Sequence, residues 1–153
     1  MAAPEEVIEV GVRLEHANLI VRDIDGMIEF LTAAFPEFRV RGEGQAPGSG
    51  RWVHIGTDET YLALNQATAE PAEPWVPYAG RPGTNHLGYE VDDVAALSER
   101  LAAAGYREST VPNAHPHRRR VYFYDPEGND WEFVEYTSTD PAERNDYALP
   151  DGT

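Results

Sequence analysis

The chain has 153 residues, 41% of them hydrophobic, which fits one domain with a sizeable core. It contains no cysteine and no lysine, so disulfides, thiolate metal sites, cysteine nucleophiles and Schiff-base chemistry are excluded. The formal net charge of -15 repels nucleic acid, and no apolar run approaches the roughly 18 residues of a membrane helix. The N-terminal stretch MAAPEEVIEV is acidic where a secretory signal would be basic. We therefore expect a soluble cytoplasmic protein without nucleic-acid or membrane partners.

The first predicted strand is repeated later in the chain. LEHANLIVRD (14–23) aligns with TNHLGYEVDD (84–93), so that His16 corresponds to His86 and Asp23 to Asp93. Both aspartates are good helix N-caps, and apolar residues at helical spacing follow each of them. In the first copy these are Ile24, Met27, Ile28, Leu31 and Ala34, and in the second Val94, Leu97, Leu101 and Ala104, with Gly105 at the C-terminal end.

The repeat continues without a gap through two predicted hairpins. RWVHIGTDETYLALNQ (51–66) aligns with VYFYDPEGNDWEFVEY (121–136), and each stretch reads as two strands joined by a turn, GTDE or DPEG. One further strand is predicted in each copy, near Phe38–Arg41 and Tyr106–Thr110. The sequence thus predicts an α+β fold of two tandem strand–helix–three-strand modules. One module alone is too small to be stable, so we expect the two to pair into a curved mixed sheet around a cavity, with the helices outside.

Domain boundaries follow from this repeat. We predict an N-terminal arm (1–12), a first module (13–66), a proline-rich linker (67–83), a second module (84–136) and a polar tail (137–153).

Alternation along the strands brings three polar residues into phase. Alternate residues of a strand share a face, so Glu132 lies on the face opposite to Trp131 and Phe133. If Trp131 and Phe133 pack on a helix, Glu132 points into the cavity. The repeat places His16 and His86 at related positions on two central strands. Two imidazoles and a carboxylate suit a divalent ion with open coordination positions.

At these residues the chain resembles the vicinal oxygen chelate superfamily, which includes glyoxalase I, bleomycin-resistance proteins, fosfomycin-resistance enzymes and extradiol dioxygenases. The resemblance covers most of residues 13 to 136 and is carried by EHANLIVRDID, NHLGYEVDDV and YFYDPEGNDWEFVE. It implies paired βαβββ modules whose first and last strands supply the metal ligands. Carried over by motif, these ligands are His16, His86 and Glu132. The implied cofactor is one divalent ion, Fe2+, Mn2+, Zn2+ or Ni2+.

Members of this superfamily differ in their ligand sets. Glyoxalase I has a fourth ligand late in module one, where this chain has Leu62 in the gapless register or Ala63 one residue on. Neither residue binds a metal, which disfavours the four-ligand members. Fosfomycin-resistance enzymes use two histidines and a glutamate but also lean on lysine, for which Arg118, Arg119 or Arg120 would have to substitute.

The stretch NAHPHRRRVYFYDPEGNDWE is similar to the C-terminal signature of extradiol dioxygenases. That similarity implies that His115 and Tyr122 hydrogen-bond a bound catecholate. Those enzymes carry a further acid–base histidine shortly before the second module's ligand, and residues 66 to 85 contain none. His54 is the substitute if it faces inward. The catalytic candidates are therefore Tyr122, His115 and His54.

Two functions remain open on this sequence. The first is a metal-dependent enzyme of the dioxygenase or lyase/isomerase type, acting on a small oxygenated substrate. The second is a metal-free protein that sequesters a small molecule, as bleomycin-resistance proteins do, and the acidic surface suits a cationic ligand. Because members of the superfamily often pair modules between subunits, we expect a homodimer. The residues predicted to line the substrate pocket are Asn18, Trp52, Leu62, Tyr124 and Tyr136.

Overall fold

The structure is a computed structural model that describes residues 11–112 and 114–149. Most of the predicted N-terminal arm therefore lies outside the described residues. The elements in chain order are β1 (His16–Val21), α1 (Ile24–Ala34), β2 (Arg39–Ala46), β3 (Gly50–Gly56), β4 (Tyr61–Gln66), β5 (His86–Glu90), α2 (Val94–Ala103), β6 (Arg118–Tyr124), β7 (Asp130–Tyr136) and α3 (Pro141–Arg144).

Both predicted helix starts are confirmed. The side chain of Asp23 accepts a hydrogen bond from the backbone N–H of Gly26, and that of Asp93 accepts one from Ala96, each at 2.9 Å. These bonds satisfy backbone donors that a helix cannot pair within its first turn. α2 is followed by Gly105 at φ 87°, a left-handed conformation that glycine adopts without a steric penalty.

The strands form two mixed sheets, in the orders β1-β4-β3-β2 and β5-β7-β6. The first strand of each module pairs parallel with the last strand of the same module, which places His16 beside Tyr61 and His86 beside Asp130. The hairpins β3–β4 and β6–β7 are antiparallel, as their turns predicted. The predicted fold class is confirmed.

The second module differs from the prediction in one strand. Near Tyr106–Thr110 only Glu108 forms a bridge, to Phe123. The pairing ends there because the backbone N–H of Tyr122 donates to the side-chain oxygen of Thr110, at 2.8 Å, instead of to a backbone carbonyl. Pro112 follows two residues later and cannot donate to a strand partner. The module therefore has two strands after its helix where we expected three.

The two modules share one hydrophobic core. Trp131 and Phe133 of β7 are buried on the face that points toward the helices, as alternation predicted. The ring of Phe30 in α1 lies 5.7 Å from that of Trp131, and the ring of Phe35 lies 5.6 Å from that of Phe133. A helix of the first module thus packs on the sheet of the second, so neither module buries its apolar face alone.

Polar contacts also fix the orientation of the modules. The carboxylate of Glu127, in the β6–β7 turn, accepts backbone N–H bonds from Arg22 at 2.8 Å and Asp23 at 3.2 Å. At the other end of α1, Arg100 of α2 donates to the carbonyls of Ala33 and Ala34, at 3.1 and 3.0 Å. The second module therefore satisfies backbone groups at both ends of α1, and the edge strands β1 and β5 come to line common cavities.

The described part of the polar tail, residues 137–149, folds back onto the second module. Arg144 of α3 pairs with Glu90 at 2.9 Å, and its guanidinium lies 3.9 Å from the centre of the Tyr136 ring. No helix within 11–112 or 114–149 is long and apolar enough to span a membrane.

Candidate functional site

Each sheet has one face against the helices and one open face. On β1 the residues His16, Asn18 and Ile20 lie on the open face, where Ile20 is 75% exposed, whereas the next residue, Val21, is 2% exposed. On the second sheet, His86 and Glu132 lie on the open face and the buried Trp131 and Phe133 on the other. The side chains of the three candidate metal ligands therefore point away from the core, as strand alternation predicted.

The centre of the second open face is a contact between His86 and Glu132. The Nε2 of His86 lies 2.9 Å from Oε2 of Glu132. The other oxygen of Glu132 lies 3.7 Å from Nη1 of Arg120, which also donates to the hydroxyl of Tyr122 at 3.4 Å. Tyr122 pairs directly with Glu132 across β6 and β7, so the two side chains lie on the same face of the sheet. The imidazole of His86, the carboxylate of Glu132, the guanidinium of Arg120 and the phenol of Tyr122 thus form one cluster on this face.

Two residues of this centre were missed by the sequence reasoning, Tyr78 and Asp130. The hydroxyl of Tyr78 donates to Oδ2 of Asp130 at 2.7 Å and lies 2.9 Å from Nδ1 of His86. Asp130 is 4% exposed and also accepts a bond from the hydroxyl of Ser109 at 2.5 Å. Asp130 is in phase with Glu132 on β7, a signal that the sequence contained. Tyr78 lies in the linker, where no periodic pattern marks it.

Three neighbouring cavities meet at His86. One of about 310 Å³ is lined by His86, Tyr78, Tyr122 and Asp130, and one of about 360 Å³ by His86, Asn18 and Ile20. A third, of about 210 Å³, is lined by both His16 and His86. The edge strands β1 and β5 therefore bring the two repeated histidines to one cavity. Within the described residues, no three histidine, aspartate or glutamate side chains lie close enough together to hold a metal ion.

His16 belongs to a row of rings on the open face of the first sheet. Its Nδ1 contacts the carboxylate of Glu15, and its ring stacks on Tyr61 with centroids 4.9 Å apart. The row continues from Tyr61 to His54 at 4.7 Å and from His54 to Trp52 at 5.0 Å. His54 thus faces the open side of the sheet. His54 pairs with Ala63 as Tyr122 pairs with Glu132. His54 and Tyr122 therefore occupy equivalent positions in the two sheets.

The register of β4 decides which of Leu62 and Ala63 corresponds to Glu132, and Leu62 also lines the cavity shared by His16 and His86. Asn18 pairs with Ala63 on β1 and β4, as Gly88 pairs with Glu132 on β5 and β7, so Ala63 is the counterpart of Glu132. A shift of one residue turns a strand side chain to the opposite face, and Leu62 lies in the core with 1% of its surface exposed. Neither residue supplies a metal ligand from the first module.

Three further candidate residues, His115, Tyr136 and Tyr124, are in contact with other side chains or backbone groups of the protein. His115 is 5% exposed, and its Nε2 lies 2.9 Å from the carbonyl oxygen of Asp146, while its Nδ1 accepts from the backbone N–H of His117 at 3.2 Å. It anchors the tail and does not line the cavity of Tyr122 and His86. The rings of Tyr136 and Tyr124 are covered by Arg144 and by Arg107, whose guanidinium lies 4.0 Å from the Tyr124 centroid.

The two phenols of the centre remain protonated well above neutral pH. Burial, and then the hydrogen bond to Asp130, raise the pKa of Tyr78 above its ordinary value. Burial, and then the hydrogen bond to Glu132, raise the pKa of Tyr122 in the same direction. Both hydroxyls are therefore hydrogen-bond donors under physiological conditions.

Burial also raises the pKa of Tyr89, at the module interface, from 10.0 to about 12. Because the folded state holds this proton more tightly, the resulting stabilisation is complete below pH 10 and is lost as the pH rises through 12. We expect the wild type to lose about 2 kcal/mol more unfolding free energy than Tyr89→Phe across this window. Urea unfolding at pH 8 and pH 12 measures the difference. Tyr147→Phe, at an 81% exposed position, should keep the wild-type dependence; equal losses in wild type and Tyr89→Phe would contradict the assignment.

The chain thus consists of two α+β modules, each with an open sheet face, and an imidazole–carboxylate contact lies on the second open face. Residues 13–133 match the profile of the Glyoxalase/Bleomycin resistance protein/Dioxygenase superfamily. The chain belongs to this superfamily, which confirms the resemblance read from its motifs. No curated protein matches the sequence.

Solved structures show the same fold at low sequence identity. A glyoxylase/bleomycin resistance protein/dioxygenase domain from Frankia sp. EAN1pec is 21% identical with a TM-score of 0.67, over 82% of this chain and 98% of that one. The fosfomycin resistance protein FosX from Mesorhizobium loti is 24% identical with a TM-score of 0.59, over 90% and 98%. A mutant FosX from Listeria monocytogenes, complexed with Mn(II) and 1S,2S-dihydroxypropylphosphonic acid, is 18% identical with a TM-score of 0.62, over 87% and 97%.

Proposed function

We propose that this protein is a mononuclear divalent-metal enzyme that acts on a small oxygenated substrate able to chelate the ion. His16, His86 and Glu132 would hold the metal. The observation that carries the proposal is the 2.9 Å approach of His86 Nε2 to Glu132 on an open face, beside a cavity that His16 also lines. The Mn(II) complex of FosX from Listeria monocytogenes is that of another protein of this fold and is consistent with a divalent ion in such a site.

The donor set fits a divalent ion. Two imidazole nitrogens and one carboxylate leave coordination positions open, as non-haem iron and catalytic zinc sites do. His16 would complete the set by leaving its contact with Glu15. Both side chains of that pair are about half exposed, at 45% and 53%, and exposed ion pairs are weak enough to exchange. When bound, the ion would supply a Lewis acid that stabilises charge developing on the chelated oxygens.

The surrounding side chains supply proton transfer and charge. Tyr122 presents a protonated hydroxyl beside Glu132 and can donate to a substrate oxygen. Arg120 places a fixed positive charge 3.7 Å from Glu132, suited to an anionic substrate group. His54 occupies the equivalent place on the other sheet. Extradiol-dioxygenase-like ring cleavage and lyase or isomerase chemistry both remain compatible with this set.

A metal-free sequestering protein of the bleomycin-resistance kind is the second candidate. The row of rings from His16 to Trp52 favours it, because stacked aromatic faces bind flat ligands without any metal. The net charge of -15 adds attraction for a cationic ligand.

Both candidates are compatible with a homodimer, which we propose from the exposed apolar side chains of Leu14 and Ile20 on the open side of β1. Sedimentation equilibrium would return the monomer mass if the dimer is wrong.

Metal analysis tests the enzyme against the sequestering protein. Protein purified without a chelator or polyhistidine tag should contain about one Fe, Mn, Zn or Ni per chain, and His86→Ala should lose it. His117→Ala is the matched control, because His117 pairs with Glu143 away from the proposed ligands. A wild type that holds no metal and binds none of Fe(II), Mn(II), Zn(II) or Ni(II) on titration would refute the enzyme. Ligand screening for a sequestered compound would then follow.

A further inference from the structure

The linker carries Tyr78 onto the second sheet in a constrained conformation. Tyr78 is the one non-glycine residue among those described that has a positive φ, 63°, which is uncommon for a bulky side chain. Its backbone N–H donates to Oδ1 of Asn85 at 2.9 Å, which ties the turn to the start of β5. Gly83 closes the turn against Trp75, so tightly that a Cβ there would lie 2.3 Å from the Trp75 ring. The turn is therefore built to hold the Tyr78 hydroxyl in one place.

The hydrogen bonds of that hydroxyl decide where His86 carries its proton. A phenol has one hydrogen, and an ionised carboxylate only accepts. Tyr78 therefore donates to Asp130, at 2.7 Å, and its oxygen is left to accept from Nδ1 of His86, at 2.9 Å. A hydrogen bond at this contact requires a hydrogen on Nδ1. In the neutral imidazole the other nitrogen, Nε2, has a lone pair, and it is this nitrogen that lies 2.9 Å from Glu132.

The same geometry leaves two acceptors facing each other. The lone pair of Nε2 and the carboxylate of Glu132 repel unless a cation such as a metal ion lies between them. Without the bond to Tyr78, a neutral His86 would instead place its hydrogen on Nε2 and donate it to Glu132. The chain Asp130–Tyr78–His86 therefore favours the form of His86 that can bind a metal.

We propose that Tyr78 is a positioning residue that fixes His86 in the Nδ1–H tautomer and directs its Nε2 lone pair to the centre at Glu132. The consequence for metal affinity rests on the proposed function, whereas the tautomer itself does not. Histidines that bind metals generally donate their other ring N–H to a fixed acceptor, and loss of that acceptor typically weakens metal binding about 10- to 100-fold.

Nitrogen NMR of the metal-free protein tests the tautomer directly. The ¹⁵N shifts of His86 are recorded at alkaline pH, where the spectrum shows the ring to be neutral. The wild type should carry hydrogen on Nδ1, and Tyr78→Phe should shift it to Nε2. Tyr147→Phe makes the same chemical change at an 81% exposed position and should leave His86 unchanged. Amide spectra verify that both variants are folded. An Nε2–H tautomer in the wild type, or an unchanged tautomer in Tyr78→Phe, would overturn the proposal.

Zn(II) titration is the second readout. The Kd of Tyr78→Phe should rise about 10- to 100-fold, and that of Tyr147→Phe should match the wild type. If the wild type binds no Zn(II) but the tautomer changes as expected, the role of Tyr78 is supported and the metal function fails. If the wild type binds Zn(II) and the tautomer is the same in Tyr78→Phe, the metal function is supported and the role of Tyr78 fails.

Discussion

Replacing Phe35 by alanine is expected to lower the free energy of unfolding by about 3 to 5 kcal/mol, since the side chain is 3% exposed and leaves a large cavity. Its ring lies 4.5 Å from that of Phe38 in the first module, and 4.7 and 5.6 Å from those of Tyr89 and Phe133 in the second. The truncation therefore removes contacts that join the modules. Urea unfolding followed by circular dichroism measures the loss.

Two controls separate this effect from a local one. Phe35→Leu keeps most of the apolar volume and should cost less than the alanine variant. Val40→Ala, at a 42% exposed position, should change the unfolding free energy by less than about 0.5 kcal/mol. A loss below about 1 kcal/mol in Phe35→Ala would show that the modules do not depend on this contact.

Glu132→Gln is expected to weaken divalent-metal binding by more than about 100-fold, because even an outer partner of a metal ligand is worth about 10- to 100-fold. The substitution keeps the shape of the side chain but replaces an anionic ligand by a neutral amide. It removes the carboxylate that lies 2.9 Å from His86 and 3.7 Å from Arg120. Titration with Mn(II) or Zn(II), followed calorimetrically, measures the affinity of the folded variant.

Glu90→Gln is the matched control for this loss. It makes the same change of charge on the same open face, at a side chain that pairs with Arg144 and is 58% exposed. Its affinity should equal that of the wild type, since general loss of negative charge would weaken both variants alike. Wild-type affinity in Glu132→Gln would show that this carboxylate is not a ligand.

Local patterns in the sequence determined the elements and their faces. The N-caps Asp23 and Asp93 and the helical spacing after them predicted α1 and α2, because a helix start depends on residues three or four positions apart. Strand alternation separated Trp131 and Phe133 from Glu132, because side chains alternate with a period of two whatever the strand pairs with. The repeat then placed His16 and His86 on equivalent strands. Their role as metal ligands stays a prediction.

Only the tertiary structure decided the contacts made between distant parts of the chain. Tyr78 lies in a linker with no periodic pattern and donates a hydrogen bond to Asp130, 52 residues further along the chain. The ring of His115 is in hydrogen-bond contact with the tail, at the carbonyl oxygen of Asp146. The register of β4 selected Ala63 over Leu62 as the counterpart of Glu132. The side chain of Thr110 ended the pairing at Glu108. These contacts depend on which segments of the chain come together on folding, and the residue pattern within one segment does not identify the segment that it will contact.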